Sequence, residues 1–117
     1  MKHLIIINEQ PYGSEKPYNG LRLAMQLQKD FPGESVRVFL MADAASCAVK
    51  GQTTPNGYYN IERMIRSVLM NKGEVKICGS CADARGIKIE NIIDGTQMST
   101  MSELTAWYMD SDKIISF

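Results

Sequence analysis

Lys76-Ile77-Cys78-Gly79-Ser80-Cys81-Ala82-Asp83-Ala84-Arg85-Gly86 runs an apolar strand directly into a turn that carries two thiols. Val75 to Ile77 is the strand, Gly79-Ser80 the turn, and Cys81 follows Cys78 at C-x-x-C spacing. Ser80 and Asp83 fit a small capping box, so Ser80 is expected to cap a helix over 81–85, with Cys81 at its first position and Gly86 ending it. A helix N-terminus favours negative charge and lowers the pKa of a thiol placed there. Cys78 is therefore expected to be a modestly activated thiolate, with Lys76 and Arg85 adding positive potential and Asp83 opposing it.

Upstream, Tyr58 to Asn71 is a helix with Ile61, Met64, Ile65, Val68 and Leu69 on one face, while Glu62, Arg63 and Arg66 face elsewhere. Gly73 separates it from the strand Glu74 to Cys78. Val36 to Met41 is another apolar strand, followed by a small-residue segment, Ala42 to Lys50, that carries Cys47. The loop-like stretch 51–57 connects it to the helix and reads as a lid, a contact loop or a plain surface connector. Leu4 to Ile7 is a strand of the kind covered on both faces. A polar loop through Glu15 leads to a helix opened by Pro17, with Leu21, Ala24 and Met25 in a broad stripe beside Leu23 and Leu27, and Pro32-Gly33 beyond its end.

Downstream, the residues predict a short helix over 87–93, a brief strand over 96–98 and a capping box at Thr100-Met101-Ser102-Glu103. The helix that box opens is expected to place Met101, Leu104 and Tyr108 on one side, and Asp112 to Phe117 is a last strand. Apolar strands alternating with helices point to an α/β fold with a parallel sheet between helix layers and right-handed crossovers. In such sheets the loops that leave the carboxyl ends of the strands form the binding rim. Cys78, the segment bearing Cys47 and the loop Glu9 to Glu15 all fall on that rim.

The 117 residues suit one domain, 1–117, with 44% hydrophobic and 22% charged residues as in ordinary globular chains. Thirteen basic residues balance thirteen acidic ones and are scattered, which argues against nucleic-acid binding. The same near-zero charge offers little repulsion against self-association. The N-terminal apolar run is shorter than a signal-peptide core of about 7–15 residues, and no stretch has transmembrane length, so a cytoplasmic protein with no membrane contact is expected.

Three cysteines in a reducing compartment point to burial, metal binding or reactivity rather than a disulfide framework. Free cysteine is often a small core residue, and for Cys47 that reading stands level with a functional one. Zinc is disfavoured because a single C-x-x-C gives half a tetrahedron and His3 lies at the other end of its strand, five residues at about 3.3 Å each away. A thioredoxin-like dithiol has the right spacing, but here the motif follows the third strand instead of the first. A sulfur carrier, with a persulfide on the Cys78 thiolate, is the fourth reading. The single histidine is badly placed for a Cys-His pair, and no dinucleotide or P-loop motif is present. Tyr58, Tyr59 and Trp107 suit a core or an interface equally.

Six segments appear in a telling order: Tyr12-Gly13-Ser14-Glu15, Leu21 to Ala24, Phe39 to Asp43, Gly57 to Ile61, Cys78 to Gly86 and Asp112 to Phe117. With them the chain resembles, nearly end to end, the DsrE/DsrF-like small proteins, and within these the YchN-like branch. The resemblance implies a three-layer α/β/α sandwich with a five-stranded parallel sheet, assembling as a homo-oligomer, a trimer or hexamer. In the sulfur-relay members a cysteine at the end of the third strand carries a persulfide and exchanges sulfur with donor and acceptor proteins; by motif position that role falls on Cys78. The relay carriers have no second cysteine three residues on. Cys81 is such a thiol, and its attack on a Cys78 persulfide would release sulfide and leave a disulfide.

The expectation is thus a sulfur-transfer protein, a sulfurtransferase or persulfide carrier, acting through Cys78 with Cys81 as resolving thiol. Cys47, Tyr12, Gly13, Ser14, Glu15, Asp43 and Arg85 form the surrounding binding set, with no metal and no cofactor. The alternatives are a thiol-disulfide redox protein and a non-enzymatic oligomeric binding or regulatory module with inert cysteines.

Overall fold

All the runs expected as strands pair in one sheet in the computed structural model, which describes residues 1–117. β1 (Lys2–Ile7), β2 (Ser35–Leu40), β3 (Glu74–Cys78), β4 (Gln97–Ser99) and β5 (Lys113–Ser116) lie in the order β4-β3-β2-β1-β5. Every neighbouring pair is parallel. The helices are α1 (Lys16–Asp30), α2 (Ile61–Met70), α3 (Gly79–Ala84) and α4 (Met101–Met109), with 3-10 turns at Ala42–Ala48 and Ile89–Asn91. No helix is long and apolar enough to cross a membrane.

The strand order explains why both sheet faces are covered. Right-handed crossovers from β1 to β2 and from β2 to β3 move the same way along the sheet and place α1 and α2 on one face. The return from β4 past β1 to β5 reverses direction and places α4 on the other. The first face holds the main core, in which Ile5, Ile7, Val38, Leu40 and Ile77 meet Leu21 and Ala24 of α1 and Ile65 and Val68 of α2. The second face holds a smaller core of Leu4, Phe39, Cys78, Leu104 and Trp107, with Trp107 edge-on to Phe39 at 6.3 Å. Arg37 secures α4 from beneath. Its buried guanidinium donates to Asp110 Oδ2, Ser111 Oγ and the carbonyls of Trp107 and Asp110, where a cation suits a helix C-terminus.

Four local expectations change. The segment 87–93 is no helix beyond the turn Ile89–Asn91, because Ile87, Ile92 and Ile93 tuck into the core from extended backbone and Ile92 bridges Val49. α2 starts at Ile61 instead of Tyr58, where the Asn60 side chain accepts the Arg63 N–H and the Tyr12 hydroxyl accepts that of Ile61. Glu62 does not face out; it is 9% exposed, and its Oε1 accepts the N–H groups of Gly51 and Gln52 at 2.8 Å each. On α4, Met101 and Tyr108 flank Leu104 but stay exposed, and Trp107 completes the packed face.

Candidate functional site

β3 ends at Cys78, and that residue itself caps α3. Its backbone is extended and its Sγ accepts the Cys81 N–H at 3.4 Å. Ser80 is therefore not the cap but lies inside the helix, with its hydroxyl 3.4 Å from Cys78 Sγ. Cys81 is the third helical residue instead of the first. The reason is backbone crowding: a Cβ at Gly79 would sit 3.0 Å from the Ser99 carbonyl of β4, so the glycine lets α3 begin hard against the sheet. Gly86, at φ +69°, supplies the left-handed position that ends the helix.

The two sulfurs face each other at 2.6 Å, with the Cys81 thiol donating to Cys78 Sγ. Cys81 Sγ in turn accepts the Ala42 N–H at 3.2 Å and lies 3.9 Å from Met41 Sδ. Ala42 has φ +54°, a left-handed conformation that costs a non-glycine residue about 1–2 kcal/mol. That strained backbone aims an amide at the second sulfur.

These contacts divide the pair. Burial pushes the Cys78 pKa up, but hydrogen bonds from the Cys81 thiol, the Ser80 hydroxyl and the N–H groups of Cys81 and Ser80 outweigh it, and the net shift is downward. Burial raises the Cys81 pKa, and its hydrogen bond to Cys78 raises it further, against smaller lowering effects of the Ala42 N–H and Arg85. One proton shared by the pair therefore stays on Cys81 while Cys78 ionises. Cys78 is 8% exposed, Cys81 is half-buried, and no surface cleft is lined by either.

The remaining candidates fall into separate groups. Asp43 and Arg85 form an ion pair across the dithiol's flank, with Asp43 Oδ1 accepting from Nε at 2.9 Å and Nη2 at 2.6 Å, while Nη1 donates to the Cys81 carbonyl. Tyr12 instead reaches Gln52 and the start of α2. Gly13 lines a shallow cleft with Tyr12 and Ser46, Ser14 Oγ accepts the Lys16 N–H, and exposed Glu15 precedes α1. Cys47 belongs to the segment leaving β2, as expected, but its thiol turns inward. It is 0% exposed, 3.6 Å from the Glu9 carbonyl, and burial pushes its pKa up to about 12. The Lys76 ammonium is engaged by α4 instead of the dithiol, 4.7 Å over the Trp107 ring and 3.7 Å from Glu103. Asp83 is exposed. His3 pairs with Glu34 at the amino end of β1. Met41 and Ala42 are the participants that the residue types did not disclose.

The DsrE/DsrF-like family model matches residues 1–117. The chain belongs to that family. It is 39% identical over 116 residues to Protein YchN of Escherichia coli (strain K12), covering 99% of this chain and 98% of the relative. It is 35% identical over 117 residues to MJ0989 of Methanocaldococcus jannaschii, covering 100% of both. The crystal structure of the E. coli ychN protein superposes with a TM-score of 0.91 at 37% identity, covering 100% of both chains. MTH1491 of Methanobacterium thermoautotrophicum shares the fold at 10% identity, with a TM-score of 0.78 over 99% of this chain and 98% of its own. The same fold is thus formed with little sequence in common.

Proposed function

We propose that the protein transfers sulfane sulfur through Cys78. The observation that carries this reading is the divided dithiol, in which Cys81 keeps its proton and directs it at a Cys78 sulfur poised to ionise. The Cys78 thiolate attacks the outer sulfur of a donor persulfide, R–S–SH, forming Cys78–S–SH and releasing R–S⁻. An acceptor thiolate then takes that outer sulfur and restores the Cys78 thiolate. When no acceptor arrives, Cys81, once deprotonated, attacks Cys78 Sγ, expels HS⁻ and forms a Cys78–Cys81 disulfide, which an external dithiol reduces.

Membership of the DsrE/DsrF-like family supports this reading. The low exposure of Cys78 and the absence of a cleft over it favour donors and acceptors that are proteins presenting an extended sulfur. A self-assembled, cytoplasmic protein is part of the proposal. Five of the eleven exposed large apolar side chains, Met101, Tyr108, Met109, Ile114 and Ile115, lie on α4 and β5, around the thinly covered second core.

The test is intact mass after exposure of the reduced protein to a polysulfide donor. Wild type is expected to gain one sulfur atom transiently and then convert to the disulfide, Cys81→Ser to retain the extra sulfur, and Cys78→Ser to gain none there. Thiols that stay unmodified in the folded protein would sink the proposal. The 2.6 Å approach of the sulfurs also favours a second reading, a dithiol-disulfide couple without sulfur cargo. It wins if the disulfide forms with oxidants alone and no persulfide is trapped in Cys81→Ser.

A further inference from the structure

The chain has five arginines, and three are matched to carboxylates: Arg37 with Asp110, Arg66 with Glu62 and Arg85 with Asp43. Arg22 of α1 and Arg63 of α2 have no carboxylate partner. Both line one cleft of ≈ 370 Å³ between the two helices, within the size range of small-ligand sites. The only hydrogen-bond partner of the Arg22 guanidinium is Asn19 Oδ1 at 3.2 Å, and it lies 5.3 Å from the Tyr18 ring centre.

Three of the other lining residues form a stack of rings. Tyr18 and Tyr59 lie 4.3 Å apart at 24°, and Tyr59 and Tyr58 4.5 Å apart at 22°. Tyr58 stays 51% exposed at the end of the stack, and Met64 lines the same space. An open aromatic face accepts a further flat ring in offset stacking. Two unneutralised guanidinium groups beside it suit a planar or tetrahedral anion, which arginine binds through paired N–H groups. Glu15, whose charge acts on Tyr59, does not line the cleft. Tyr58 and Tyr59 lie just ahead of Asn60, the cap of α2, at the carboxyl-end rim where a parallel α/β sheet collects its ligands.

We propose that this cleft binds a small molecule made of a flat aromatic ring and one anionic group. The ring extends the Tyr18-Tyr59-Tyr58 stack, and the phosphate or carboxylate lies between Arg22 and Arg63. Cys78 and Cys81 take no part, so the inference stands apart from sulfur transfer.

The test titrates the full-length protein with adenosine monophosphate, indole-3-carboxylate, adenosine and inorganic phosphate, following the tyrosine ring signals by NMR. At least one of the two aromatic anions should bind saturably, and at least about tenfold more tightly than adenosine or phosphate alone. The tighter of the two identifies phosphate or carboxylate as the preferred group. Arg22→Ala and Arg63→Ala should each weaken binding by about tenfold, the loss of one charge-assisted contact, and Lys29→Ala should not. Circular dichroism checks that each variant is folded. The proposal is overturned if neither aromatic anion binds saturably, if phosphate alone binds as well, or if folded Arg22→Ala and Arg63→Ala bind like wild type.

Discussion

Cys78 and Cys81 differ in what they receive. Cys78 Sγ collects donors from Cys81 and Ser80, whereas Cys81 is left holding the proton it shares. At neutral pH Cys78 should therefore alkylate first. Cys81→Ala removes one of the hydrogen bonds that lower the Cys78 pKa, so its alkylation profile should move to higher pH. The rate at pH 7 falls on the order of tenfold for each pKa unit moved. Cys81→Ser keeps a donor and should recover part of that rate, as rate-versus-pH curves by mass spectrometry would show. Ala42 was invisible in the sequence because an alanine gives no sign of a positive φ, and a backbone N–H belongs to every residue type but proline. The cysteines, by contrast, were legible from spacing and strand position. Ala42→Gly should leave the amide in place and relieve the strain, so alkylation rates stay near wild type and thermal stability does not fall. A marked loss of stability would mean the φ is not strained there.

Cys47 makes its own pH prediction. Below its ordinary pKa of 9.0 the thiol is protonated in both folded and unfolded chains and adds no pH dependence. Above that value the unfolded chain ionises while the folded one holds its proton to about 12. Wild type should therefore lose stability relative to Cys47→Ala by about 1.4 kcal/mol per pH unit over that window. Urea unfolding of both proteins across that range measures the difference, and parallel curves would place the thiol in solvent.

At the scale of elements, helical periodicity found which faces exist but not how deep each lies. On α2, Ile61, Ile65 and Val68 are buried as the period requires, yet Glu62 joins them because the polar loop at Gly51 and Gln52, which carries no hydrophobic signal of its own, folds back onto it. On α4 the stripe Met101-Leu104-Tyr108 is real, but the helix covers only part of its sheet face, and a one-helix layer leaves the flanks of that stripe in solvent. The 87–93 segment failed as a helix because β-branched residues there are buried from extended backbone, a tertiary demand that overrides local pattern. Glu62 gives the sharpest test. Burial pushes its pKa up, but Arg66 and the N–H groups of Gln52 and Gly51 outweigh that and hold it below the ordinary 4.5. Its contribution is thus present above that value and disappears as pH falls through the lowered one. Glu62→Ala should cost about 1–3 kcal/mol at pH 7, from two orphaned amides, and speed hydrogen exchange at Gly51 and Gln52. Unchanged exchange at those amides would show that the loop is held by other contacts.

For the molecule as a whole, the parallel sheet and its rim followed from strand composition, while strand order decided what composition could not. By placing β5 beside β1, the fold sends α4 alone across the second face. A single nine-residue helix cannot cover five strands. Ile6 and Met41 remain half-buried beside Leu4 and Phe39, and Ile114 and Ile115 stay 40% and 45% exposed on an edge strand. Burying such side chains against another copy recovers about 25 cal/mol per Å² of apolar area, and zero formal charge opposes it little. The protein is accordingly expected to self-associate at micromolar concentration in light scattering, as the trimer or hexamer that the family resemblance implies. Met101→Lys with Tyr108→Lys, both on exposed sites of α4, should shift it to a smaller species with unchanged circular dichroism, because two ammonium groups would have to be desolvated in the interface. A wild type that scatters as a monomer removes self-association from the proposal. If instead the variant dissociates and Cys78 alkylates faster in it, the assembly also controls access to the thiol, since Cys78 is packed in that same second core.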